Sequence, residues 1–160
     1  MYFVRRHLPW ISTLVIGLVL SALGLFFIFS GMSARDEIRD QLRDEQVMTS
    51  ADASIPNVPV QDEKTARAQA EAIKHHTLGT WGPYSQLPKD DPRRAQFIDG
   101  VALRTALNMA VMGFGITDLV IGAGVIVLIA GVATLMLATP ALYILAAVVM
   151  PKPTREDSGA

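Results

Sequence analysis

Two long uncharged apolar stretches, residues 8 to 34 and 105 to 151, run through this chain of 160 residues, and the only ionisable side chain in either is Asp118. About 20 consecutive apolar residues cross the ~30 Å hydrocarbon core of a bilayer as a helix, and a small water-soluble domain has no reason to carry two such runs. The expected fold is therefore that of an all-α integral membrane protein, with two transmembrane helices flanking a helical extracytoplasmic segment and a third apolar segment near the C-terminus. The expected division is a cytoplasmic tail at 1–7, a first transmembrane helix at 8–30 and an extracytoplasmic segment at 31–106 containing a linker at 49–61. A second transmembrane helix at 107–137, an interfacial or third membrane segment at 138–150 and a polar tail at 151–160 complete it.

The net charge of −1 conceals a balanced centre: ten Lys/Arg and twelve Asp/Glu are interleaved between residues 31 and 106 with no block of one sign. A nucleic-acid partner or an anionic substrate calls for a one-sided basic surface, so neither is expected. The chain has no cysteine, which removes disulfides, thiol catalysis and thiolate metal sites.

Arg5 and Arg6 precede the first apolar run and hold the N-terminus in the cytoplasm, with Trp10 where an interfacial aromatic belongs. A signal peptide is the competing reading, but the apolar run is long for one and no clean A-x-A site follows, so an uncleaved anchor is expected. The central segment is too long for its own charge to decide its side, so the first helix sets the orientation and the centre faces outward. The tail, with Lys152 and Arg155 beside Glu156 and Asp157, adds little to that choice.

Residues 33 to 48 read as a helix leaving the membrane, with Arg35, Arg39 and Arg43 in one row and Asp36, Asp40 and Asp44 in the next, either a solvated stalk or a docking face. Only Ile38 and Leu42 offer it an apolar contact. Residues 49 to 61, with two prolines and no helical period, read as an extended linker. A second helix is predicted from an Asp62 cap to Leu78, stopping at Gly79, with Ala66, Ala70, Ile73 and Thr77 forming a narrow face for close packing on the other helices. After the turn at 79–84, Asp91 before Pro92 signals a helix start that can run unbroken into the second span. Trp81 and Tyr84 either pack this turn against the helices or form a ligand cage.

These residues also carry a resemblance. Lys74-His75, Leu78, Gly82, Tyr84, Leu87-Pro88, Asp90-Asp91-Pro92, Arg94-Ala95, Leu103-Arg104, Ala106-Leu107, Phe114-Gly115 and Leu119-Val120-Ile121-Gly122 form a spaced pattern over residues 66 to 131. The pattern resembles a family of small actinobacterial membrane proteins of unknown function, some of which are labelled aromatic ring-opening dioxygenase. The resemblance implies two transmembrane helices around an external segment. The chain departs from it at Asp118 and beyond Gly131.

The residues do not support that label. A facial-triad iron site needs two His and a carboxylate converging on one ion. The chain offers only His7, on the other side of the membrane in this topology, and the neighbours His75 and His76, which point about 100° apart on a helix. Glu71 with His75 gives at most a two-ligand surface site, and no Ser sits in a nucleophile elbow. The expectation is a protein that is not an enzyme and holds no cofactor or metal.

The membrane helices say more. Gly17, Ser21, Gly24 and Gly31 place small residues along one seam of the first helix. Gly113, Thr117, Gly124 and Gly131 do so on the second, with Gly115 and Gly122 beside them. Such seams let two helix backbones approach closely, as an antiparallel hairpin or against a partner. Asp118 is either an intramembrane carboxylate facing a partner, water or a proton path, or a headgroup-level residue of a span that starts later. Pro140 is the expected place for the long second stretch to break or bend.

The expected role is a non-catalytic accessory or assembly subunit in the cell membrane, associating with a larger membrane complex or with itself through the glycine seams and external helices. A homo-oligomeric transport or proton-conducting element centred on Asp118 is the alternative, and a metal-dependent enzyme at His75 the weakest.

Overall fold

The computed structural model describes residues 2–149, and side chains from His7 onward. Arg5, Arg6, Lys152 and Arg155, which entered the orientation reading, lie outside the described side chains. All regular elements among the described residues are helical: α1 (Tyr2–Asp44), α2 (Glu63–Lys74), α3 (Arg93–Ala133) and α4 (Thr139–Val149). Two of the helices formed, His7–Asp44 and Arg93–Val149, are long and apolar enough to cross a membrane. The chain divides into two compact units, one of Met1–Phe29 with Val120–Ala160 and one of Ser30–Leu119.

In the first unit the apolar parts of α1 and α3 pair in antiparallel fashion. Of the two outcomes expected at Pro140, a break does not occur: α3, a wider π-type turn at Thr134–Ala138 just before the proline, and α4 form one helix of 57 residues. Residues 138–149 therefore continue that helix without a separating break. The physical reason lies in the wider turn: a proline ring collides with the carbonyl four residues back in a straight α-helix, and one π-type turn upstream removes the collision without ending the helix. The Thr139 hydroxyl and backbone N–H both donate to the Thr134 carbonyl, so the wider turn keeps its acceptor engaged.

The second unit has a core built from four pieces of chain. Val60, Ala66, Ala70, Ile73 and Leu107 are buried together, with Leu42, Val47, Ala110 and Val111 against them. The small face read on α2 is thus the face that meets α1 and α3. Thr77 approaches Gly100 so closely that a Cβ there would lie 2.6 Å from the threonine methyl. Asp62 caps α2 in a reciprocal box, its carboxylate accepting from the Thr65 N–H at 2.8 Å while the Thr65 hydroxyl accepts from the Asp62 N–H.

Two local expectations change. Helix α2 does not stop at Gly79: it continues through a π-type turn at His75–Gly79 and ends at Gly82, whose φ of 75° reverses the chain while its N–H donates to Leu78 O. Gly79 keeps helical backbone, and only a residue in the left-handed region can close the helix in this way. The stretch 49–61 is not a free linker. It folds back on residues 47–49 through hydrogen bonds from Val60 N to Val47 O and from Thr49 N to Val58 O, and it buries Ala53 and Val60. Prolines flank these bonds instead of interrupting them, and Asn57, at φ 55°, makes the turn.

Candidate functional site

Within the first unit the small residues bring backbone against backbone. A Cβ on Gly24 would lie 2.5 Å from Leu128 N, one on Gly131 2.6 Å from Ser21 N, and one on Gly124 2.9 Å from Gly24 O. Gly17 meets the side chain of Leu135, and the Ser21 hydroxyl returns its hydrogen bond to Gly17 O at 2.8 Å, so no polar group is stranded. Gly17, Ser21, Gly24, Gly124 and Gly131 are therefore spent on intramolecular packing. Gly122 has nothing within 4 Å of a would-be Cβ and lies outside the seam. Trp10 closes the far end, its ring 5.7 Å from Tyr143 edge-on while its N–H donates to His7 Nδ1.

Within the second unit the same two helices make different contacts. Gly113 admits the side chain of Ile38, Thr117 is buried with its hydroxyl donating to Phe114 O, and Gly115 faces open space. Asp118 is neither buried nor alone: Arg35 Nη1 donates to its Oδ1 at 2.5 Å, and the two side chains are 32% and 48% exposed. Arg35 is the first charged residue after the apolar run of α1, so the carboxylate sits where that run ends. Arg39 also turns inward, donating from Nε to Gln61 O and from Nη1 to Asp36. The charge ladder is thus partly consumed by the chain itself, a use that helical spacing alone cannot indicate.

One consequence is an unmatched level. The stretch of α1 that carries Arg35, Asp36, Glu37, Arg39 and Asp40 lies against α3 between Leu107 and Asp118, where α3 is almost wholly apolar. On that stretch of α3, Met109, Met112 and Ile116 are 68%, 67% and 55% exposed.

The external turn is packed, not caged. Trp81 and Tyr84 lie against the buried Phe97 at ring distances of 6.4 and 5.6 Å, and the Arg94 guanidinium stacks 4.1 Å over Tyr84 while donating to Leu87 O. One face of Tyr84 is taken by Arg94, while Tyr84 and Phe97 also line, with Ile98 and Val101, an apolar cavity of about 410 Å³. Asp91 caps α3: its Oδ1 accepts from Arg93 N at 2.9 Å, the Arg93 guanidinium chelates the same carboxylate, and Pro92 sits at the first position. The Arg93 side-chain bonds, with its backbone N–H, hold the Asp91 carboxyl down at about 2.

Glu71 is engaged by Lys74 at 3.0 Å instead of by His75, and His76 pairs with Asp52 at 2.5 Å across to the 49–61 hairpin. The His76 bond holds the Asp52 carboxyl below its ordinary value. Sequence reading missed this pair because its members are 24 residues apart and belong to no motif. Among the described residues no group of three His, Asp or Glu converges on a common point. Against protein-family models, curated proteins and solved structures, the chain has no match.

Proposed function

We propose that the chain is a two-span protein of the cell membrane, with its N-terminus cytoplasmic and the segment from Arg35 to Asp118 extracytoplasmic, and that it acts as a non-catalytic accessory or assembly subunit of a larger membrane complex. The Arg35–Asp118 pair supports shifting the outer segment to these bounds from the 31–106 expected. The observation that carries this reading is the exposed apolar row Met109, Met112 and Ile116 at the level of a charged helix. Lipid could cover that row only if Arg35, Asp36 and Arg39 entered the hydrocarbon with it, at a few kcal/mol for each charge. An apolar surface held in water is the usual mark of a protein contact. The glycine seams are occupied within the chain, so association falls to this row and to the outward faces of the helices. Asp118, the centre of the transport alternative, is neutralised by Arg35 of the same chain, which favours the accessory role over a proton path.

Affinity purification of tagged protein in mild detergent, with mass spectrometry and sizing, tests the reading. A stoichiometric larger membrane partner that is lost on Met112→Glu is expected. A ring of this chain alone, unaffected by that substitution, would overturn the accessory role.

A further inference from the structure

A cavity of about 400 Å³ lies within the second unit between α1 and the folded 47–61 stretch. Arg39 and Arg43 make part of it basic, Gln46 and Gln61 add neutral polar groups, and Val47, Met48, Pro59 and Val60 supply an apolar wall. No Asp or Glu lines it. Arg39 is fixed by Gln61 O through Nε and by Asp36 through Nη1, which leaves its other terminal nitrogen uncommitted. No hydrogen bond or ion pair among the described residues engages the Arg43 guanidinium, although it stands one turn from Arg39 on the same helix face. Two guanidiniums beside an apolar wall fit an anion that carries an apolar appendage. Planar guanidinium groups bind phosphate oxygens in pairs, and the wall accepts the carbons attached to them.

We propose that this cavity binds the phosphate of an anionic phospholipid, with Arg39 and Arg43 on the phosphate oxygens and Val47, Met48, Pro59 and Val60 against the glycerol and the first acyl carbons. The choice of a lipid rests on the membrane reading above. Arg39 and Arg43 follow Arg35, where the apolar run of α1 ends, by one and two helical turns, or about 6 and 12 Å. The interfacial layer on each side of the hydrocarbon is roughly 5 to 8 Å deep, so Arg39 falls within the layer of the lipid phosphates and Arg43 stands about one turn beyond it.

The test uses the full chain purified in a neutral detergent and titrated with dioctanoyl phosphatidylglycerol, dioctanoyl phosphatidylcholine and inorganic phosphate, with binding read calorimetrically. Arg43→Gln is the informative variant because the Arg43 side chain makes no hydrogen bond or ion pair within the described residues, and Arg67→Gln, an exposed arginine on α2, is the control. Saturable binding of phosphatidylglycerol is expected, weakened about tenfold in Arg43→Gln and unchanged in Arg67→Gln, with phosphatidylcholine and phosphate both far weaker. Equal binding by wild type and Arg43→Gln, or equal binding of the two lipids, would overturn the site. Inorganic phosphate binding as tightly as the lipid would overturn the lipid assignment in favour of a soluble phosphate ester. Alkaline carbonate extraction of native membranes separates the two readings. Retention of the protein without selective binding removes the site alone, and release removes the membrane reading while the titration still decides the cavity.

Discussion

At the residue scale, the Arg35–Asp118 pair is a depth gauge. Exposed ion pairs contribute about 0.2–1 kcal/mol, whereas removing one partner of a pair buried away from water costs about 3–5 kcal/mol because the other charge is left uncompensated. With both side chains partly exposed, Asp118→Asn is expected to lower stability by no more than about 1 kcal/mol in reversible unfolding from detergent. A loss in the larger range would place the pair inside the hydrocarbon. Asp91 gives a second residue-level expectation. Its folded-state value of about 2 lies below the ordinary 3.8, so the cap's contribution is complete above that ordinary value and disappears as pH falls through the folded one. The protection factors of the Arg93 and Arg94 amides should fall between about pH 4 and pH 2, and Asp91→Asn should remove that acid step. An unchanged step in the variant would assign it to another group.

At the element scale, the two kinds of glycine separate by experiment. Gly24→Ala puts a methyl into the backbone of α3 and is expected to cost roughly 1–3 kcal/mol by forcing the helices apart. Gly122→Ala meets nothing and should be neutral or stabilising by up to about 1 kcal/mol through helix propensity. Equal effects at the two positions would show that the seam does not hold the hairpin. Pro140→Ala removes the reason for the wider turn. The helix beyond it should then rotate by about one residue, roughly 100°, which separates Tyr143 from Trp10 and shifts the tryptophan emission. The sequence made the caps legible, because Asp62 and Asp91 act on neighbours three or fewer residues away. It made the small seams legible as periodic patterns, but their period does not distinguish Gly124 from Gly122, since the partner helix alone decides which side is inside. At Pro140 the sequence leaves break and bend open, because a proline's clash is visible in sequence and a compensating π-type turn is not. The fold of 49–61 depends on a hydroxyl, Thr49, whose bond to Val58 N spans nine residues.

At the scale of the whole molecule, the absence of cysteine makes topology directly measurable. Single substitutions Ser54→Cys and Ser85→Cys should react with a membrane-impermeant maleimide on intact cells, whereas His7→Cys, at the end of the 1–7 tail, should react only after permeabilisation. Labelling of His7→Cys alone without permeabilisation would invert the proposed orientation, and labelling of all three would overturn the two-sided topology. The long second helix meanwhile has no depth mark of its own in hydropathy, since its apolar residues from 105 to 149 extend for roughly 65 Å, about twice the hydrocarbon thickness. Its position is indexed by contact: Gly24 against Leu128 and Ser21 against Gly131 allow one alignment, and a slip of a single turn would drive side chains into backbone. The first helix thus works as a ruler and the second as the rod clamped to it, so in bilayers of different thickness the lipid is expected to adapt while the clamp holds.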